Sequence, residues 1–198
     1  MQPVLWGPAL WQCMFTCAWH CPSSKMALLA RFVRELVPAL LPCKKCKEHF
    51  KANCRKADGH TKGVPRTPEM TFVWLWHLKN SVNTTTKSRS IPLDLLYGRY
   101  EFHAGTVLDE IAFADALVLI AINAQSLDLA DEFVDMCEVA SELLAYALPS
   151  RGHVLVTELQ KVRKPVIVGA LRAARAVRVA HGRPPLTRTH YVETSSRA

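Results

Sequence analysis

Apolar residues recur along this chain at three- and four-residue intervals and almost never alternate with period two, so the pattern predicts helices throughout. Trp6-Gly7-Pro8 opens the first, which should run to about residue 20, with Pro8 suited to a first turn and Pro22 just beyond the end. In residues 25–41, Leu28, Leu29, Phe32, Val33, Leu36 and Val37 form one stripe, Arg31, Arg34 and Glu35 lie opposite, and Pro38 and Pro42 bracket the end. A third helix should continue to about residue 53. The following polar stretch, residues 56–69, holds Gly59, Gly63, Pro65 and Pro68 and reads as a mobile loop with Cys54 at its edge. Thr67 can then cap, and Pro68 open, a helix dense in large apolar side chains. Asn80 and Asn83 stand one turn apart near its end. Asparagine is a weak helix former, so the pair predicts polar contacts to a ligand or to a neighbouring loop.

A shorter aromatic segment, residues 91–103, closes a first domain over residues 1–103. Helices are then expected over residues 106–123, 127–148 and 154–181, the last kinked by Pro165, and residues 182–198 read as a flexible basic tail. The fold class is all-α, with a helical region of unassigned role at residues 104–181 whose removal should leave the first domain's binding site intact.

Length and charge refine this picture. A chain of 198 residues can bury a core without disulfide staples. The longest largely apolar stretch, residues 116–124 with Asn123 its one polar member, is far short of the roughly 20 residues needed to cross a bilayer, so no membrane partner is expected. The opening residues lack a basic leader region, which predicts an intracellular protein. The net charge of +8 is segregated: residues 1–103 carry 15 Lys/Arg and 6 Asp/Glu, residues 104–150 carry 0 and 9, and residues 151–198 carry 10 and 2. An acidic helical layer lying against basic neighbours of the same chain accounts for such blocks. The stripe Arg172, Arg175 and Arg178 would belong to those neighbours.

Cysteines carry the candidate chemistry. Cys13, Cys17 and Cys21 share one helical face, but neighbouring Cβ atoms there stand about 5–6 Å apart whereas a disulfide needs about 3.5–4.5 Å. They read as small core residues. The segment Pro42-Cys43-Lys44-Lys45-Cys46-Lys47-Glu48-His49-Phe50 is different. Two thiols three residues apart can close a ring, bind a metal or shuttle electrons, and each use needs the thiolate. Pro42 suits a helix start, so Cys43 would meet the positive end of the dipole, and Lys44, Lys45 and Lys47 add positive charge. The thiolate of Cys43 is thereby favoured.

Three motifs in order carry a family resemblance. Trp11 is followed eleven residues later by Pro22, with Ala18 between; Pro42-Cys43-x-x-Cys46-x-x-His49-Phe50 follows; then comes Trp74-Leu75-x-His77-Leu78-x-Asn80-x-Val82-Asn83. Over residues 4–90 this resembles the Erv/Alr family of FAD-linked sulfhydryl oxidases, and most closely the forms from large cytoplasmic DNA viruses. The resemblance implies a four-helix bundle holding FAD at one mouth, a homodimer, protein dithiol substrates and oxygen as electron acceptor, giving hydrogen peroxide. It implies Cys43 as the interchange thiol and Cys46 as the partner of the flavin. It further implies cofactor contacts from Gly7, Trp11, Phe15, His49, Trp74, His77, Asn80, Val82, Asn83 and Lys87, and a location in the host cytoplasm or the virion. The chain departs from the pattern at Phe15 and Lys79, where the family carries histidines.

Two other readings stay open. Cys43-x2-Cys46-x2-His49-x4-Cys54 supplies four possible zinc ligands, which would make the segment a nucleic-acid-binding knuckle; neither metal nor nucleic acid is expected under the oxidase reading. The departures at Phe15 and Lys79 also suit a decayed oxidase retained for assembly. Cys54 is the one candidate for a second shuttle thiol.

Overall fold

The computed structural model describes residues 5–41, 44–63, 65–102, 108–148 and 153–196, and every regular element among them is a helix. Helix α1 (Gly7–His20) starts where Trp6-Gly7-Pro8 predicts. The second rod is not one α-helix. It consists of a short 3-10 turn (Ser23–Lys25), α2 (Met26–Arg31), a π turn (Phe32–Leu36) and α3 (Val37–Leu40). In the π turn Val37 N–H donates to Phe32 C=O, five residues back. Pro38 follows directly; it lacks an N–H, and in a regular helix its ring would strike the carbonyl four residues before it, so the widened turn falls where an α-turn fits worst.

Helix α4 (Lys44–Thr61) runs a further two turns past its predicted end, because Phe50, Asn53, Cys54 and Ala57 continue one buried stripe. Little of the expected loop remains. Thr67 does cap α5 (Pro68–Thr85), its Oγ1 accepting from Met70 N–H at 3.3 Å. Helix α6 (Leu93–Phe102) follows. Asp109 caps α7 (Glu110–Ser126), accepting from Ala112 N–H at 2.9 Å. After α8 (Ala130–Ala147), the region around Pro165 holds two separate helices in place of one kinked helix, α9 (His153–Gln160) and α10 (Val166–Ala180).

Helix α1, the α2–α3 rod, α4 and α5 form the bundle, with α5 on one side of α1 and α7 and α8 on the other. Helix α7 is largely apolar and mostly buried, packed against α10, α1 and α8. The apolar core is therefore continuous across both halves of the chain. Cys13, Cys17 and Cys21 are buried thiols of α1, and Cys21 Sγ donates to Leu143 C=O of α8 at 3.3 Å.

The acidic block pairs with basic neighbours, but of the predicted arginine stripe only Arg178 reaches it: Arg172 pairs with Glu158 at 3.1 Å, and Arg175 forms no ion pair among the described residues. Lys25 meets Glu142 at 2.5 Å, Arg31 meets Asp135, Lys164 meets Asp131 at 2.8 Å and Arg178 meets Asp115 at 2.6 Å. Exposed pairs contribute about 0–1 kcal/mol each, so they align the layers more than they stabilise them. The tail departs from expectation: Arg188–Ser196 forms α11, and Tyr191 is only 3 % exposed, its hydroxyl donating to Asp115 Oδ1 at 2.6 Å. A carboxylate already fixed by Arg178 supplies the acceptor that lets a tail tyrosine dock.

Candidate active site

Pro42 and Cys43 lie outside the described residues, and α4 begins at Lys44, the next residue along. Cys46 stands in the first turn of that helix and faces a cavity of about 130 Å³. Four elements enclose it, α3 among them through Val37, with Leu41 just beyond. Helix α1 supplies Gly7 and Trp11, α4 supplies Cys46, His49 and Asn53, and the end of α5 supplies Val82 and Thr85 with Thr86 beyond it. Leu10, Met14 and Phe50 close the apolar back wall. Two wider grooves, of about 660 and 760 Å³, contain no cysteine.

Helical spacing explains the convergence. Cys46, His49 and Asn53 follow one another at three and four residues and so share a face of α4. Asn53 escaped sequence reading, though this spacing would have found it. It is 2 % exposed, and its amide makes one hydrogen bond among the described residues, Nδ2 to Thr85 Oγ1 at a long 3.5 Å. Trp6 was missed as well: it borders the cavity, and its buried Nε1–H has no acceptor among the described residues. Buried polar groups are nearly always satisfied, so these two mark a wall with hydrogen-bonding capacity to spare.

The other sequence candidates take different places. Phe15 is 3 % exposed and packs behind Trp11, ring centroids 6.2 Å apart, and against Phe72 and Tyr100 at 5.1 and 6.0 Å. It supports the Trp11 ring and does not line the cavity. Lys79 lies on the same ring, Nζ 4.8 Å from its centroid, and burial lowers its pKa. Trp74 is buried away from the cavity, donating Nε1–H to Asp58 Oδ1 at 3.0 Å, and Arg34 donates to the same oxygen at 2.6 Å. His77 stacks on His60 at 4.3 Å, with its pKa lowered by burial and then by that neighbour.

The two asparagines of α5 hold a loop. Asn80 Oδ1 accepts from Ile91 N–H at 2.8 Å and its Nδ2 donates to Ile91 C=O at 3.0 Å, while Asn83 Nδ2 donates to Arg89 C=O at 2.8 Å. Trp76 Nε1–H reaches the same Ile91 carbonyl at 2.6 Å. The returning chain keeps Thr86 at the cavity rim. Lys87, next along, is exposed with φ of 56° and does not line the cavity.

Neither a knuckle nor a second shuttle thiol suits α4. A continuous helix puts Cys54 on a different side from Cys46 and His49, and burial pushes its thiol up to about 12. A metal ligand or shuttle must form the thiolate, which this environment opposes. Among the described residues no helix is long and apolar enough to cross a membrane.

The lining chemistry suits one edge of a flat aromatic cofactor, and because about 130 Å³ is below the roughly 300 Å³ of ordinary ligand pockets, most of such a group would lie outside this cavity. Trp11 and Val82 offer faces, Cys46, His49, Asn53 and Thr86 offer polar atoms, and a Cβ placed on Gly7 would meet no atom within 4 Å. FAD has that chemistry. No curated protein and no solved structure matches the chain. Residues 8–101, which supply all of the cavity lining except Trp6 and Gly7, match the sequence profile of the Erv1 / Alr family, whose members are in general FAD-linked thiol oxidases.

Proposed function

We propose that the protein is an FAD-linked thiol oxidase that forms disulfide bonds in protein substrates and passes the electrons to oxygen, giving hydrogen peroxide. The observation that carries this reading is the position of Cys46 on the wall of an apolar cavity shared with Trp11, His49 and Asn53. Bound FAD would accept an electron pair from the cysteines and deliver it to oxygen.

The residues divide the remaining work. A substrate thiolate attacks Sγ of Cys43 in the Cys43–Cys46 disulfide; the S–S bond breaks and Cys46 leaves as a thiolate. The second substrate thiol, losing its proton, attacks the substrate sulfur of the mixed disulfide and displaces Cys43. Two electrons have then moved from the substrate to the cysteine pair, and the substrate holds a new disulfide. Departure of Cys43 is eased by whatever stabilises its thiolate, here the N-terminus of α4 and the adjoining Lys44 and Lys45. Trp11 and Val82 would hold the cofactor ring, and His49, Asn53 and Thr86 its polar edge. A homodimer, which the family resemblance implies, would need a face other than that of α1, which α7 and α8 cover.

Absorption spectroscopy with oxygen-electrode assays tests the reading. The purified protein should be yellow and should consume oxygen with dithiothreitol, while Cys46→Ser should keep the flavin and lose turnover. Protein that stays colourless after FAD is added would sink the proposal.

A further inference from the structure

The lysines and arginines that face the acidic layer are spoken for: Lys25, Arg31, Arg163, Lys164 and Arg178 each pair with one of its carboxylates. Helix α4 carries a dense group of basic residues with no such partner. Lys44, Lys45, Lys47, Lys51, Arg55 and Lys56 form no ion pair among the described residues. All but Lys47, which donates to Ala39 C=O at 2.6 Å, are exposed. The helix carries two acidic residues, Glu48 and Asp58, and Asp58 is already held by Arg34 and Trp74.

Helical geometry arranges these charges in rows. Lys44, Lys51 and Arg55 share one azimuth, Lys45 and Lys56 a second, and the second borders the face of His49 that lines the cavity. Like charges one turn apart weaken a helix, and Lys47, Lys51 and Arg55 stand at such spacing. Among the described residues none of the three has an ion-pair partner, and Glu48 is the one acidic side chain of the helix left to offset them. From Lys44 to Arg55 the row covers about 16 Å, the length of roughly five residues of extended chain. It begins at the residue that follows Cys43.

We propose that the outer face of α4 docks the protein substrate and selects cysteine pairs flanked by acidic residues. The proposal rests on the oxidase reading for its chemistry and on charge complementarity for its specificity. A segment whose thiol reaches Cys43 lays its next residues along Lys44, Lys51 and Arg55. An acidic segment is drawn in by the field and held in register, whereas a basic one is repelled.

Three synthetic peptides test this, each with two cysteines two residues apart, flanked by glutamates, serines or lysines. With the FAD-loaded full-length protein at low salt, kcat/KM should be at least about tenfold higher for the glutamate peptide than for the serine peptide, and lowest for the lysine peptide. Added salt should compress the order. The double variant Lys51→Glu, Arg55→Glu should abolish the preference while oxidation of uncharged dithiothreitol stays within about twofold. Equal rates for the three peptides, or a preference that survives the double variant, overturns the proposal. Labelled peptides with serine in place of cysteine, read by fluorescence anisotropy, test the same order of binding without any turnover. Failure to oxidise dithiothreitol thus counts against the oxidase reading alone, and the anisotropy order still decides the face. Tighter binding of duplex DNA, lost in the double variant while the peptides bind alike, would assign the face to nucleic acid and overturn the proposal.

Discussion

Lys79 holds its ammonium group 4.8 Å from the centre of the Trp11 ring, whose surroundings also wall the cavity beside Cys46. Two effects oppose each other here. The cation–π contact is worth about 0.5–2 kcal/mol, and burial penalises the charge, lowering the lysine pKa. The folded protein thus holds this proton less tightly than the unfolded chain. Stability should rise with pH as the pH passes upward through the folded pKa toward the ordinary lysine value of about 10.4, because the unfolded chain binds more protons in that window. In Lys79→Met this contribution disappears. Thermal melts of the variant between about pH 8 and about pH 10 should rise less steeply than those of the parent, and an unchanged slope would show that Lys79 is not the titrating group.

Asn53 is the most buried polar residue at the cavity and has a single long hydrogen bond. Its desolvation is a cost that a bound cofactor would offset. Asn53→Leu should weaken FAD by about tenfold or more, since a buried hydrogen bond and the group it satisfies are worth roughly 1–3 kcal/mol. The melting temperature of the cofactor-free protein should hold or rise. Flavin fluorescence titration alongside thermal denaturation separates the two effects, and a fall in both would mark Asn53 as merely structural.

Cys54 is 4 % exposed, and burial pushes its thiol up to about 12. Burial thus disfavours the thiolate that an electron relay would need. Cys54→Ala should therefore leave turnover of a protein substrate within about twofold of the parent while destabilising the fold by about 1 kcal/mol, the cost of a small cavity. A tenfold loss with protein substrates, with dithiothreitol oxidation intact, would restore Cys54 as a shuttle.

Removal of residues 104–198 should do more than strip an appendage. Helices α7 and α8 pack on α1, and Leu10, Trp11 and Met14 of the same helix build the cavity. The truncated chain should aggregate or lose its flavin, contrary to the sequence-based expectation of an independent first domain. Soluble, yellow protein of residues 1–103 on size-exclusion chromatography would refute the coupling.

Local rules made much of this protein legible from its residues alone. Apolar periodicity located the helices, Thr67-Pro68 marked a helix start, and the charge blocks foretold which layers would pair. Cys46 and His49 were visible because their spacing encodes chemistry directly. Tertiary structure decided the rest, because contacts between elements depend on which faces meet. The extra turns of α4 exist since Ala57 finds a buried surface, and the tail folds because Tyr191 finds Asp115. Asn80 and Asn83 had two possible partners, and only the path of the returning chain assigned them to Ile91 and Arg89. Phe15 and Lys79 likewise read as gaps in a motif until packing placed both against Trp11. Periodicity determines which face of a helix is apolar; what covers that face is settled only when the helices assemble.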